Sequence, residues 1–363
     1  MMNQAKTIVF QADASPAIGM GHLMRCIALA QAFIKNGVEV VFLVDAQTQK
    51  IAQSLPAFRF NQIEFDHQAV TNHALDYFFK LMTSHHISPE LFILDGYHYS
   101  QHYREQLKSS LVQMKTDLVI IDDNGGEKAG DLIHADIIIN PTCLQHEPPD
   151  YGSVAPFARV FAGEKFRLLR QEFAEQPIIE YGNRQGIVLT MGGTDPLNYS
   201  QHCLEALQNM QLEQPVTVLI SNGFKHKKQL IKQIDCLPKN FSYLEQADNI
   251  AKIFAETELV ISAAGGTQFE LYAMQTPAIL LVSFDNQWRN SQAAKQQGWA
   301  EVLDCRQQID FAQLKKVFSL IFDTAARQTM HKKMHGGQAN GAENLAQALL
   351  LLIANQANEK NLI

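Results

Sequence analysis

The chain has 363 residues, enough for two ordinary domains and more than one core usually holds. Its 46% hydrophobic and 18% charged residues describe a globular rather than a disordered chain, and its net charge of −7 argues against a general nucleic-acid or anionic-membrane surface. The five cysteines are scattered and form no CxxC pair, which argues against a disulfide framework or a zinc site and fits a reducing cytoplasm.

The N-terminal stretch lacks the long apolar core of a signal peptide and reads as a first buried strand. No apolar run is long enough to span a bilayer. In chain order, short apolar runs predict strands near Thr7–Phe10, Val38–Val44, Leu91–Leu94, Leu118–Ile121 and Ile137–Ile139. A second set follows near Ile187–Thr190, Val216–Ser221, Phe241–Leu244, Leu259–Ser262 and Ala278–Val282. Continuous apolar runs suit parallel strands buried on both faces, and their alternation with helical patterns implies βαβ units.

The first helix is the clearest. From Gly21, apolar residues fall at Leu23, Cys26, Ile27, Ala30, Phe33 and Ile34, and Gly37 supplies a stop. The polar, proline-bearing stretch between the strand sets is the predicted boundary: a first domain over residues 1–165, a linker over 166–185 and a second domain over 186–363. The predicted fold is α/β, two Rossmann-like parallel-sheet domains facing a cleft, with ligands at the carboxyl ends of the strands.

Glycine loops occupy those ends. Gly19 and Gly21 stand between the first strand and helix and place His22 on the first helical turn. Met24 fills the position of the third small residue in a dinucleotide fingerprint, which argues against a nicotinamide dehydrogenase. A helix N-terminus disfavours an imidazolium, so His22 is expected to be neutral and able to act as a general base. Packing or capping is its bland alternative. Asp13, earlier in the loop, orients His22, binds a sugar hydroxyl or simply makes a turn. Arg25 binds a phosphate or forms a structural ion pair.

Asp95 and Tyr97 end the third predicted strand, with Asp95 a candidate to orient a catalytic group and Tyr97 to donate a hydrogen bond to substrate. A strand-ending turn is equally compatible. Asp122, Asp123 and Asn124 suit a sugar pocket better than a divalent metal, because no histidine stands at ligand spacing. Asn140–Pro141–Thr142 reads as a turn. In the second half, Gly192 and Gly193 permit close backbone approach to a diphosphate. Gly265, Gly266 and Thr267 lead into a helix whose free amides favour a phosphate, with Glu270 placed for a ribose diol; the alternative is a small-residue strand–helix turn with Glu270 as a first-turn dipole partner. Asn286 lies in a strand-end segment whose amides suit sugar hydroxyls or acetamido groups, though by itself the segment reads as a plain loop.

The ordered set DASPAIGMGHLMRC, LDGY, IDD, INPT, GEKFRLLRQEF, LTMGGTDP, SAAGGTQFELYAMQTP and FDNQ resembles the UDP-2,4-diacetamido-2,4,6-trideoxy-β-L-altropyranose hydrolases of pseudaminic acid biosynthesis. The resemblance runs from about Ile8 to Gln292. The second half alone is similar to the UDP-binding half of GT-B glycosyltransferases, including the N-acetylglucosaminyltransferase of peptidoglycan synthesis. The resemblance implies a GT-B fold without cofactor or metal, UDP phosphates near Gly265, Gly266 and Thr267, and ribose on Glu270. His22 matches the catalytic histidine of the GxGHxxR motif, and Tyr97 and Asn286 match positions used near the sugar. Two departures are Gln11, where arginine is common, and the variable Gly96. The tail beyond about Ala293 is outside the match, and final helices packing back across the cleft are one outcome for it.

The implied activity is metal-independent, inverting removal of UDP from a UDP-sugar by water, in the cytoplasm, with no nucleic-acid or membrane partner. A GT-B glycosyltransferase and a non-catalytic nucleotide-sugar binding protein are the alternatives, since one fold serves all three.

Overall fold

The computed structural model describes residues 6–360 except 16–17, 56, 67–76, 124–131, 143–149, 335 and 338, with side chains described as far as 356. The chain divides into two units, residues 1–171 with 340–363, and residues 172–339.

The first unit holds a seven-stranded sheet of β1 (Thr7–Ala12), β2 (Glu39–Val44), β3 (Asn61–Glu64), β4 (Pro89–Asp95), β5 (Asp117–Ile121), β6 (Ile137–Asn140) and β7 (Arg159–Ala162), in the order β3-β2-β1-β4-β5-β6-β7. The second holds β8 (Ile187–Thr190), β9 (Val216–Ile220), β10 (Phe241–Glu245), β11 (Leu259–Ala263), β12 (Ala278–Val282) and β13 (Ala300–Asp304), in the order β10-β9-β8-β11-β12-β13. Every pairing between these strands is parallel. In each unit the chain starts in the interior of the sheet, builds outward for two strands, then crosses to the other side of its first strand. The strand order therefore reverses between β1 and β4, and again between β8 and β11. Such a reversal opens a crevice at the strands' carboxyl ends.

The central strands explain their own placement. All six residues of β1 are buried. Ile8, Phe10 and Ala12 enter one core cluster while Val9 enters the cluster on the opposite face. A strand with both faces covered needs apolar residues at consecutive positions, which is what the sequence shows. The one polar residue in the middle, Gln11, is satisfied by Tyr103, whose hydroxyl donates to Oε1 at 2.8 Å.

The first helix, Gly21–Lys35, buries Leu23, Cys26, Ile27, Ala30 and Phe33 against the sheet. Ile34, predicted on that face, is exposed instead. Gly37 adopts φ +76°, a left-handed conformation that glycine takes at little cost, and so ends the helix.

The final helix, Gly341–Lys360, corrects the expected second domain of residues 186–363. Its Ala342, Leu345, Ala346, Leu349 and Ile353 lie in the same cluster as Leu23 and Phe33 and complete the first core. Burying a Leu or Ile side chain contributes about 1.5–3 kcal/mol, so this stripe binds the helix to the first unit. A Cβ on Gly341 would lie 2.3 Å from the carbonyl oxygen of Arg167, so the helix starts in direct backbone contact with the GEKFR segment.

The expected linker 166–185 is also divided. Its first residues belong to the first unit and residues from 172 to the second. Arg184, buried, donates to the carbonyl of Met274 at 2.8 Å, to Thr276 Oγ1 at 3.0 Å and to the carbonyl of Ile179 at 2.9 Å. Burial pulls its guanidinium down to about 10, with Tyr181 and Glu180 acting the other way.

Candidate functional site

A cluster of ionisable side chains gathers at the strand-order reversal of the first unit. Thr48 Oγ1 accepts the Ala14 N–H at 3.0 Å and fixes the loop that leaves β1 with Asp13. Gly19 turns that loop at φ +85°, donating its N–H to the Ser15 carbonyl at 2.7 Å. The helix then begins at Gly21, and no side chain caps its first-turn amides.

His22 and Arg25 are three residues apart and so share a helix face. Both reach Asp95 at the end of β4. His22 Nδ1 lies 2.8 Å from Asp95 Oδ1. Arg25 donates from Nε to Asp95 Oδ2 at 2.5 Å and from Nη2 to Oδ1 at 2.6 Å. Its Nη1 donates to Asp123 Oδ2 at 2.6 Å. Tyr97 donates to Asp123 Oδ1 at 2.5 Å, and its ring stands edge-on to His22 with centroids 4.6 Å apart. Asp95 is wholly buried and His22 nearly so.

Charge decides the tautomer. Burial alone would raise the Asp95 pKa, but the Arg25 charge and then His22 outweigh it and hold the carboxyl well below the usual range. Burial likewise opposes ionisation of Asp123, and Arg25 followed by the Tyr97 hydrogen bond prevails. Arg25 in turn is driven up, its burial outweighed by Asp123 and Asp95. An ionised carboxylate only accepts hydrogen bonds, so the proton between Asp95 and His22 sits on Nδ1. In the neutral ring, Nε2 is then the accepting atom.

Asp13, expected beside His22, has other partners. The Tyr99 hydroxyl donates to its Oδ2 at 2.8 Å, and His98 Nε2 lies 2.7 Å from the same oxygen. Burial, then the charge of Asp13, push the Tyr99 phenol well above its ordinary value and keep it a donor. The strand-end acids 122 and 123 are also engaged: Tyr151 donates to Asp122 Oδ2 at 2.9 Å, and Asn140 donates to Tyr151 at 3.0 Å. Asn124 lies outside the described residues. Asn140 Oδ1 also accepts the Thr142 N–H at 3.2 Å, which makes the predicted turn.

In the second unit, three predicted motifs come together. Gly192 follows β8 at φ +75°, and a Cβ there would lie 3.6 Å from Thr267 Oγ1. Gly265 follows β11, and its Cβ would lie 3.9 Å from Gln287 Nε2. Gln287 Oε1 accepts the Ser283 N–H at 2.8 Å, which shapes the turn holding Asn286 at the exposed start of the helix Asp285–Gln297. Gly193 presses its carbonyl against Gly223, where a Cβ would come within 2.3 Å. Gly266 is exposed and precedes the helix Thr267–Ala273, on which Glu270 is half-buried. Asp195 of the same glycine motif is structural: it accepts the N–H groups of Tyr199 at 2.8 Å and Ser200 at 2.9 Å.

The two loop sets differ in kind. One offers an oriented imidazole in a charged cluster; the other offers glycine backbone and helix amides that suit an anion. Sequence reasoning located both but did not single out His98 and Tyr99, whose partner is 85 or more positions away.

Two all-parallel Rossmann-like units, each with a strand-order reversal, define a GT-B fold. Residues 187–349 match the Glycosyltransferase family 28 C-terminal domain. The chain is 24% identical over 259 residues to the UDP-2,4-diacetamido-2,4,6-trideoxy-β-L-altropyranose hydrolase of Campylobacter jejuni, covering 71% of this chain and 85% of that protein. It is 21% identical over 277 residues to an uncharacterized protein of Methanocaldococcus jannaschii, covering 74% of this chain and 54% of that one, so it spans about half the length of that relative. Among solved structures, Acinetobacter baumannii MurG superposes with a TM-score of 0.63 at 13% identity, over 95% of this chain and 99% of that one. No described helix is long and apolar enough to cross a membrane.

Proposed function

We propose that the chain is an inverting UDP-sugar hydrolase, and that its substrate is a UDP-2,4-diacetamido-2,4,6-trideoxy sugar of the altropyranose series. The observation that carries the catalytic part is the 2.8 Å contact between His22 and an ionised, buried Asp95. It orients the ring and leaves Nε2 to take a proton from water. The oxygen of that water forms a bond to the anomeric carbon as the bond from that carbon to the diphosphate oxygen breaks. The electron pair departs with UDP and the proton rests on His22. One displacement inverts the anomeric centre.

The glycine loops at Gly192–Gly193 and Gly265–Thr267 suit the departing diphosphate, because amides and a helix dipole stabilise developing negative charge. Glu270 is assigned to the ribose diol and Asn286 to a sugar substituent. The family 28 match over these loops supports the nucleotide assignment, and the similarity to the Campylobacter hydrolase supports water as the acceptor. The scheme draws on no metal.

The family 28 match also favours a second reading, a glycosyltransferase in which another hydroxyl replaces water. Acceptor-free UDP release separates the two. Wild-type enzyme should release UDP from the diacetamido sugar nucleotide with EDTA present, and His22→Asn should be slower by about 10²–10⁴-fold. Tight binding without release would overturn the hydrolase reading.

A further inference from the structure

The hydrolytic step does not use the second aromatic cluster at the same end of the first sheet. There the half-exposed His98 ring is held by Asp13, which is 3% exposed. Tyr99 donates to the same carboxylate oxygen and packs beside the His98 ring with centroids 4.0 Å apart. A buried carboxylate is costly to desolvate. Here its Oδ2 is shared by the Tyr99 hydroxyl and His98 Nε2, and the two contacts fix where the His98 ring lies.

The backbone has also made room for it. A Cβ on Gly96 would lie 2.8 Å from His98 Cε1, 3.0 Å from His98 Nδ1 and 2.8 Å from Tyr99 Cε2. The His98 ring therefore occupies the space that any side chain at position 96 would need. Sheet register sets the location: Ala12 and Asp95 are paired residues of β1 and β4, so Asp13 and the 96–98 segment leave adjacent strands at the reversal. Tyr97, the residue between Gly96 and His98, places its ring 4.6 Å from that of His22.

We propose that His98, oriented by Asp13 and Tyr99, contacts the sugar and sets specificity for a hydrogen-bonding substituent on it. The inference rests on the nucleotide-sugar reading above and assigns His98 to the sugar rather than to the diphosphate. Its exposed edge is placed to meet a hydroxyl or an acetamido group, and Asp13 fixes the angle at which it does so.

The test uses calorimetric binding in a His22→Asn background, where substrate survives, with UDP and with the UDP-diacetamido sugar as separate ligands. Adding His98→Ala should weaken the UDP-sugar about tenfold, the scale of one lost hydrogen bond, and leave UDP alone unchanged. Asp13→Asn should act in the same direction, as should Gly96→Ala, which keeps His98 but displaces its ring. With His22 intact, His98→Ala should raise KM more than it lowers kcat. Unchanged UDP-sugar affinity, or an equal loss for UDP and UDP-sugar, would overturn the inference while leaving the hydrolase reading in place. If the His22→Asn parent binds neither ligand, the nucleotide-sugar reading falls and the inference falls with it.

Discussion

The two units share one topology and spend it differently. Each runs its first three strands outward, then crosses over, and each carries its candidate residues at that reversal. In the first unit the reversal is packed with charge: Arg25 spans Asp95 and Asp123, and Asp95 orients His22. In the second it is stripped to glycine, with Gly192 beside Thr267 and Gly265 beside Gln287. A shared backbone thus supports a site made of side chains in one unit and a site made of main chain in the other. Topology chooses where a ligand sits, and local residues choose what is done to it.

The largest effect that would break this comparison comes from Asp95→Asn. The amide cannot hold the His22 tautomer as an ionised carboxylate does, so turnover should fall about 10²–10⁴-fold while UDP affinity holds. Steady-state kinetics beside UDP titration checks this. The same residue gives a pH signature. Its folded pKa lies below the unfolded value, so its contribution to stability is present in full above about pH 4 and is lost as the pH falls through the folded pKa. Urea midpoints should therefore fall more steeply below about pH 4 for wild type than for Asp95→Asn.

Next in size is Leu349→Ala, which should cost about 2–5 kcal/mol because it empties a site in the first core. Denaturant melts should show the loss. A loss near zero would mean that the final helix does not belong to the first unit. In the second unit, Gly223→Ala forces a Cβ toward the Gly193 carbonyl and should displace that loop. UDP affinity should drop about tenfold or more with little change in the remaining turnover at saturation. Gly192→Ala is the mildest. Its Cβ has room, but φ +75° is strained for alanine by about 1–2 kcal/mol, and a few-fold weaker UDP affinity is expected.

How much of this was legible follows the same contrast. Ten strands stand near their predicted places, and the three that were not foreseen, β3, β7 and β13, are all edge strands. β3 buries only Ile63 fully and β7 buries none of its residues, so neither has the continuous apolar run that marks a strand covered on both faces. The glycine loops were legible because a small residue after a strand signals close approach wherever it occurs. His22 was legible from its place at a helix start. Its partner was not settled, because Asp13 and Asp95 were both candidates until the sheet order was known. The register that puts Ala12 opposite Asp95 leaves Asp13 to His98 and Tyr99 and brings Asp95 to His22. The domain boundary failed for a related reason: the apolar stripe of the last helix is plain in the sequence, but Leu23 and Phe33, with which it shares a core, lie more than 300 positions earlier.

The central claim is a single displacement by a water that His22 activates. A proton NMR time course on the UDP-diacetamido sugar follows the first anomer formed alongside UDP. The account predicts an anomer opposite to that of the substrate, appearing at the rate of UDP release before it equilibrates in solution. An anomer of unchanged configuration would contradict it.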